Sequence, residues 1–254
     1  MTRGAPLTAR ACFGMHDPSI LHLKRVDPVL ATVIERVGPC RLERRQEGTH
    51  FDALVRSIVY QQLSGKAAGT ILGRVHALYG NRSPTPGELL ATSDEALRAA
   101  GLSRQKLSYL KDLAAKVESG VVPLSAEVID HLGDDEIIER LVQVKGIGRW
   151  TVQMFLMFRL GRPDVLPELD LGIQNAIRRA YRLRKQPGPK DVKRIGKSWT
   201  PHASVACWYL WRSLEGAPPT PAKTKKKKRP AAKPAKKRPA MKRAKKRPAR
   251  RGRR

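Results

Sequence analysis

The sequence predicts an all-α fold, because apolar residues recur three and four positions apart along most of the chain and strands of period two are nearly absent. Capping residues and glycines bound the periodic segments, which predicts about ten helices. With 254 residues, the chain can form one large domain or two small ones with an apolar core. The composition changes abruptly near Glu215, where we expect the fold to end.

The helices follow from local signals in chain order. Asp27 and Pro28 supply an N-cap and a first-turn proline for a helix that Gly38 ends, and Thr49 and Ser64 are predicted to cap the next two. A proline-rich loop then covers 82–87, and the residues from Thr92 read as a capping box. The remaining helices are predicted at 94–101, 103–120, 134–144, 149–160, 170–180 and 200–216.

The charge is very uneven along the chain. The protein carries 51 Lys and Arg against 22 Asp and Glu, a formal net charge of +29. Residues 217–254 hold 11 Lys, 8 Arg and no acid, with Lys-Lys-Arg-Pro-Ala repeated at 227–231, 236–240 and 245–249. Proline and mutual repulsion predict that this tail is disordered. A polyanion is the expected partner, nucleic acid before membrane.

Several classes of protein are excluded by what the sequence lacks. No apolar run is long enough to span a bilayer, and the N-terminus has no continuous apolar segment of a secretion signal. Cys12, Cys40 and Cys207 are too few for a four-thiolate cluster and are expected to be reduced thiols, and the six histidines lack zinc-ligand spacing. We therefore expect a soluble protein that is cytoplasmic and nucleoid-associated, or nuclear in a eukaryote.

The segment from Leu141 to Thr151 carries the strongest local motif. A helix meets a turn at Gly146 and Gly148, and a second helix begins at once. Glycines let a ligand approach the backbone closely, and the free amides of a helix N-terminus form a natural phosphate site. From spacing alone, an ordinary turn between two helices remains an equal interpretation.

Together with three further segments, this motif resembles the helix-hairpin-helix DNA glycosylases, specifically the 3-methyladenine DNA glycosylase II (AlkA-like) type. The four segments span residues ~20–215 in the expected order. They are Leu141–Thr151, Val59–Ala68 (Val-Tyr-Gln-Gln-Leu-Ser-Gly-Lys-Ala-Ala), Asp164–Ile173 (Asp-Val-Leu-Pro-Glu-Leu-Asp-Leu-Gly-Ile) and Trp199–Trp211.

The resemblance implies a two-lobed all-α fold and a glycosidase reaction on DNA. We expect a flexible arm at 1–18, one lobe from 19–50 plus 163–216, and a continuous lobe at 51–162 with the helix-hairpin-helix at 137–160. The implied activity is base excision repair: hydrolysis of the N-glycosidic bond of alkylated purines after base flipping, with water as nucleophile and no organic cofactor. The implied substrate is duplex DNA with damaged bases, and we expect a monomer.

Asp170 is the implied catalytic residue. Cleavage builds positive charge on the sugar, which a fixed carboxylate stabilises, or the carboxylate orients the attacking water. From the sequence alone, Asp170 is also the predicted N-cap of the following helix, and both roles can coexist. Glu168 and Asp164 are rival acids outside the matching register.

Aromatic side chains are implied to form the base pocket. Trp150 and Trp211, with Tyr60, would stack on a cationic base, while Trp199 and Trp208 are more typical of packing. Relatives that also cut the DNA strand carry lysine where this chain has Trp150, so the resemblance implies glycosylase activity without lyase activity.

The turn after the Thr49 helix is implied to enter the DNA. Gln62 would fill the gap left by the flipped base, with Gln61 as its helper, although a polar helix end is the alternative. The hairpin residues Lys145, Gly146, Gly148 and Arg149 would bind phosphate. A monovalent cation, Na⁺ or K⁺, would bridge the hairpin carbonyls to that phosphate without side-chain ligands.

Other interpretations remain open at this point. A glycosylase for oxidised or mismatched bases would share the chemistry, and a noncatalytic DNA-binding or nucleoid protein would keep only the hairpin and tail. The tail itself is predicted to bind DNA nonspecifically, with a nuclear localisation signal or unselected composition as alternatives.

Overall fold

The structure is a computed structural model that describes residues 17–44 and 47–215. Within these ranges the chain forms thirteen α-helices and no β-strand, which confirms the all-α prediction. The helices are α1 Pro18–Val26, α2 Pro28–Val37, α3 His50–Tyr60, α4 Gly65–Ala77, α5 Pro86–Ala91, α6 Asp94–Ala99, α7 Arg104–Glu118, α8 Ala126–Ile129, α9 Asp134–Leu141, α10 Arg149–Phe155, α11 Leu171–Ala180, α12 Pro189–Gly196 and α13 Ala203–Arg212.

Two short turns complete the helical part. A π-helical turn, Leu156–Leu160, continues α10, and a 3₁₀ turn, Lys197–Trp199, follows α12. The predicted disordered tail at 217–254, Cys12 and nearly all of the predicted arm lie outside the described residues. No helix in the described part is long and apolar enough to cross a membrane.

Helix packing brings distant parts of the chain together. Helix α2 packs against α1, α11 and α13, while the 3₁₀ turn packs against α1 and α12. Helix α3 packs against α4, α7 and α10, α5 and α6 pack against α7, and α9 packs against α10. The residue bounds of the two lobes stay a prediction.

Five predicted N-caps are confirmed by hydrogen bonds between the capping side chain and the helix that follows it. The side chains of Asp27, Thr49, Ser64, Ser103 and Asp170 each accept a hydrogen bond from a backbone N–H in the first turn of the helix that follows. These bonds span two or three residues, so the sequence alone specifies them.

Two local predictions were wrong. The loop predicted at 82–87 ends early, because Thr85 and Glu88 form a reciprocal capping box that starts α5 at Pro86. Helix α6 is capped by Ser93 rather than by a box from Thr92. Helices α1, α5, α8 and α12 were not predicted at all; they have four to nine residues, too few to show a clear apolar period.

The last helix also differs from its prediction. It begins at Ala203, not at the Thr200–Pro201 pair, and ends at Arg212 rather than at 216. The carboxylate of Asp164 accepts the Ala203 N–H at 3.1 Å, and the Ser204 hydroxyl donates to the Arg162 carbonyl at 2.7 Å. A loop some 40 residues earlier therefore fixes the start of α13.

A buried carboxylate joins the helices that carry the site. Asp27 is only 7% exposed, and besides capping α2 it accepts hydrogen bonds from the Trp199 indole at 2.8 Å and from the Tyr181 hydroxyl. Trp199 is fully buried, as its predicted packing role requires. This cluster anchors α2 to the end of α11 and to the 3₁₀ turn.

Candidate active site

Asp170 lies between the two tryptophans predicted for the base pocket. One carboxylate oxygen, Oδ2, accepts a hydrogen bond from the Trp150 indole at 2.7 Å. The other, Oδ1, accepts from the Trp211 indole at 2.9 Å and from the Ile173 amide at 2.7 Å. Three donors from α10, α11 and α13 therefore hold the carboxylate in one orientation at the N-terminus of α11.

A glycine makes the contact with Trp211 possible. A Cβ atom on Gly172 would lie 2.9 Å from Asp170 Oδ1 and 3.0 Å from the Trp211 ring. A side chain at this position would push the indole away from the carboxylate. Glycine at position 172 is therefore explained by the close packing of Trp211, on α13, against this position.

Apolar side chains around Asp170 are unusually exposed. Trp150 is 45% exposed, Leu169 52% and Leu171 65%, while Trp211 is half-buried with its ring centroid 5.9 Å from that of Phe158. Large exposed apolar groups beside a fixed carboxylate indicate a surface that binds a partly apolar, flat ligand. The structure therefore brings together Asp170, Trp150 and Trp211.

The hairpin between α9 and α10 is a turn between two helices, as the sequence predicts, with one of its two glycines at a positive φ. Gly146 has a φ of +76°, and any Cβ there would overlap the ring of Tyr109, so only glycine fits. No side chain caps α10 at Gly148. The Lys145 amide, by contrast, donates to Asp112 at 2.8 Å, so that amide is already bound within the protein.

The predicted wedge lies in the exposed turn between α3 and α4. Gln62 adopts a φ of +58°, which costs a residue other than glycine about 1–2 kcal/mol. Gln61 donates to the Gly146 carbonyl at 2.8 Å, which joins this turn directly to the hairpin. At the end of α3, the Lys106 ammonium donates to the Val59 carbonyl at 2.5 Å, and burial lowers the pKa of Lys106.

Tyr60 is placed differently from the other predicted pocket residues. The Arg56 guanidinium lies 4.1 Å from the centre of its ring, and its hydroxyl lies next to Gly69 on α4. These contacts locate Tyr60 in the α3–α4 pair. Its role in the base pocket stays a prediction.

Sequence reasoning missed a buried ionic cluster beside Asp170. Glu168 is 5% exposed; its Oε2 accepts from Gln153 at 2.8 Å, and its Oε1 lies 3.4 Å from Arg149 Nε and 3.2 Å from Lys193 Nζ. Burial alone would raise the pKa of Glu168, but the bond from Gln153 and the charge of Lys193 outweigh it, so the pKa is lowered.

This cluster ties α10, the Asp170 loop and α12 together. The sequence carried one signal of it, the single polar Gln153 within the apolar run from Val152 to Leu156. Arg149, predicted to bind phosphate, is thus held against Glu168 and is still 42% exposed at its side chain.

Metal ligands and reactive thiols do not form a site in the described part of the chain. Among these residues no three His, Cys, Asp or Glu side chains come close enough to hold a metal ion. Cys40 and Cys207 are buried free thiols, and burial raises the pKa of Cys40 to about 12.

Comparison with known proteins agrees with this geometry. Residues 55–202 match the family described as HhH-GPD superfamily base excision DNA repair protein. The chain is 38% identical over 209 residues to DNA-3-methyladenine glycosylase 1 of Schizosaccharomyces pombe, covering 81% of this chain and 91% of that protein.

Two solved structures are similar to this one over most of their own length. The crystal structure of a DNA-3-methyladenine glycosidase from Bacillus halodurans has a TM-score of 0.74 at 39% identity and covers 80% of this chain and 92% of its own. The 3-methyladenine DNA glycosylase of Schizosaccharomyces pombe, in complex with abasic DNA, has a TM-score of 0.68 at 35% identity, with 78% and 97% covered.

Proposed function

The chain belongs to the HhH-GPD superfamily of base excision DNA repair proteins, and from that premise we propose that it is a 3-methyladenine DNA glycosylase. It releases alkylated purines from duplex DNA by hydrolysis and leaves an abasic site. The observation that carries this proposal is the Asp170 carboxylate held between the indoles of Trp150 and Trp211.

The chemistry follows from that arrangement. An alkylated purine is cationic, so it gains about 0.5–2 kcal/mol from each indole face that it contacts. As the glycosidic bond breaks, positive charge moves to the sugar, where the Asp170 carboxylate stabilises it. A bound base also expels water, which strengthens this attraction.

We further propose that the protein has no lyase activity and is of the type II class. Strand cleavage by a glycosylase uses an amine nucleophile that forms a Schiff base. Trp150 stands where the resemblance implies a lysine in lyases. The amine of Lys106 donates to the Val59 carbonyl and belongs to α7, not to the hairpin.

Access to a stacked base requires base flipping, and two turns support it. Gln62 fills the gap in the duplex from its exposed, left-handed position, and Gln61 couples that turn to Gly146. The uncapped first turn of α10, from Gly148, binds a phosphate beside the lesion, and Arg149 adds its charge.

The hairpin carbonyls are compatible with a monovalent cation. Gly146 O accepts Gln61 and Val144 O accepts the Ile147 amide, and each oxygen retains a second lone pair. A Na⁺ or K⁺ ion held by backbone oxygens of this hairpin would supply positive charge next to the bound phosphate.

The remaining parts of the proposal concern the whole chain. The 19 basic residues of 217–254 bind DNA nonspecifically by counterion release, the protein acts as a monomer, and it works on the nucleoid, or in the nucleus of a eukaryote.

The test is base release from methylated duplex DNA and, in separate reactions, from duplexes that contain oxidised or mismatched bases, followed by chromatography of the free bases. We expect methylated purines in solution and an intact strand that breaks only when the abasic sites are treated with hot alkali. No release of any base would support a noncatalytic DNA-binding protein, release of oxidised or mismatched bases alone would support the rival glycosylase, and strand cleavage without alkali would contradict the absence of lyase activity.

A further inference from the structure

The segment from the end of α11 to the 3₁₀ turn is strongly basic. Residues 178–197 contain nine basic side chains and one acidic residue, Asp191. Helices α5 to α9 have the opposite balance, since residues 86–144 contain six basic and eleven acidic side chains. The positive charge is therefore concentrated beside the site and is not a general property of the surface.

Four of these cations form one exposed stripe along α12 and the first residue of the 3₁₀ turn that follows it. Lys190, Lys193, Arg194 and Lys197 recur at positions i, i+3, i+4 and i+7, while Val192 and Gly196 between them are buried. We call this stripe the α12 basic face. It extends about 10 Å, the rise of about three base pairs along one DNA strand.

The ion pairs at Glu168 fix the basic face next to the hairpin. Lys193 Nζ and Arg149 Nε lie 3.2 and 3.4 Å from the same oxygen of the buried Glu168. Arg149 is the first residue of α10, and Glu168 is two residues from Asp170. The positive surface is therefore continuous from the hairpin to the end of α12.

From these observations, and resting on the proposed function, we propose that the α12 basic face binds the phosphate backbone of duplex DNA on one side of the lesion. Closely spaced cations repel one another and hold counterions, which a strand of phosphates displaces. The face contributes affinity and no sequence specificity. Because the buried Glu168 pairs with Lys193, that side chain is already oriented before DNA binds.

The experiment compares two full-length variants that each lose three positive charges. Lys190→Gln/Arg194→Gln/Lys197→Gln removes three of the four charges of the basic face and leaves the Lys193–Glu168 pair intact, while it also removes the Arg194–Asp191 pair, whose atoms lie 3.4 Å apart. Arg25→Gln/Arg36→Gln/Arg41→Gln, the control, neutralises three exposed arginines on and after α1 and α2. Binding of a duplex with a tetrahydrofuran abasic-site analogue is measured over a series of salt concentrations.

We expect the slope of log Kd against log salt to fall by about 3 for the α12 variant, one unit for each phosphate contact, and to stay near the wild-type value for the control. The basic tail contributes equally to both. An unchanged slope for the α12 variant, or an equal fall for both variants, would overturn the proposal.

A second measurement locates the contact along the DNA. Two duplexes carry the analogue near opposite ends, so that each keeps DNA on only one side of it. The α12 variant should lose affinity with one duplex and not with the other, and an equal loss with both would contradict a contact on one side. Base release by the wild type tests the proposed function separately.

Discussion

The substitution Asp170→Asn separates the proposed catalytic role of this side chain from its role as a helix cap. Asparagine is nearly isosteric with aspartate. In the native protein the Ile173 amide and the Trp211 indole donate to Asp170 Oδ1 at 2.7 and 2.9 Å, and the asparagine oxygen can still accept both hydrogen bonds. The amide nitrogen then faces the Trp150 indole, which donates to Oδ2 in the native protein. The variant therefore keeps the cap and loses the charge and one hydrogen bond.

The two losses have different sizes. Asparagine and aspartate cap helices about equally well, and the freed Trp150 indole is exposed enough to bond to water, so the free energy of unfolding should change by less than about 1 kcal/mol. Removing a fixed electrostatic group from a reacting centre costs about 2.7–4 kcal/mol. Base release should therefore slow about 10²–10³-fold.

The assay is single-turnover release of methylated purines from duplex DNA with enzyme in excess, together with binding of the abasic-site analogue and thermal unfolding. Asp170→Ala is the matched control, because it removes charge and cap together. The alanine variant should lose about 1 kcal/mol of stability, which lowers Tm by about 2–4 °C, whereas the asparagine variant keeps Tm close to the wild type.

The reasoning would be refuted if Asp170→Asn released bases within about tenfold of the wild-type rate. It would also be refuted if Asp170→Asn lowered Tm as much as Asp170→Ala does, because the charge of the carboxylate would then serve mainly to stabilise the folded protein.

Four further predictions test the surrounding structure. Asp27→Ala should lower the free energy of unfolding by about 3–5 kcal/mol, because it leaves the Trp199 indole and the Tyr181 hydroxyl unpaired and removes the cap of α2. Thermal or urea unfolding measures this loss, and a value under about 1 kcal/mol would contradict the reasoning. Because the folded pKa of Glu168 is lowered, the stability that its charge provides is present above the unfolded pKa near 4.5 and is lost as pH falls through the folded pKa. The free energy of urea unfolding of Glu168→Gln should therefore depend less on pH below pH 4.5 than that of the wild type. Equal pH dependence for the two proteins would argue against this role of Glu168. Gln62→Gly should leave Tm nearly unchanged, because relief of the positive φ offsets the added chain entropy, yet slow base release from duplex DNA; an unchanged rate would remove Gln62 from flipping. Gly172→Ala should displace Trp211 and slow base release with DNA binding retained, and wild-type kinetics would show that the indole contact is dispensable.

The sequence predicted most of the helices that begin with a polar cap. Asp27, Thr49, Ser64, Ser103 and Asp170 were all identified, because each cap bond joins residues no more than three positions apart. Helices α1 and α12 also begin with local signals, since the Asp17 side chain accepts the Ser19 N–H and Asp191 accepts the Gly188 N–H, but neither helix is long enough to show a clear apolar period.

By itself, then, the sequence determined the all-α class and most helix starts, and a family pattern in it predicted Asp170, Trp150 and Trp211 as site residues. Only the tertiary structure decided what these residues contact. Trp211 reaches Asp170 across 41 positions, and Glu168 joins two cations from separate helices. Local hydrogen bonds are encoded within one helical turn, whereas such contacts exist only after the apolar faces of α2, α10, α11 and α13 have packed.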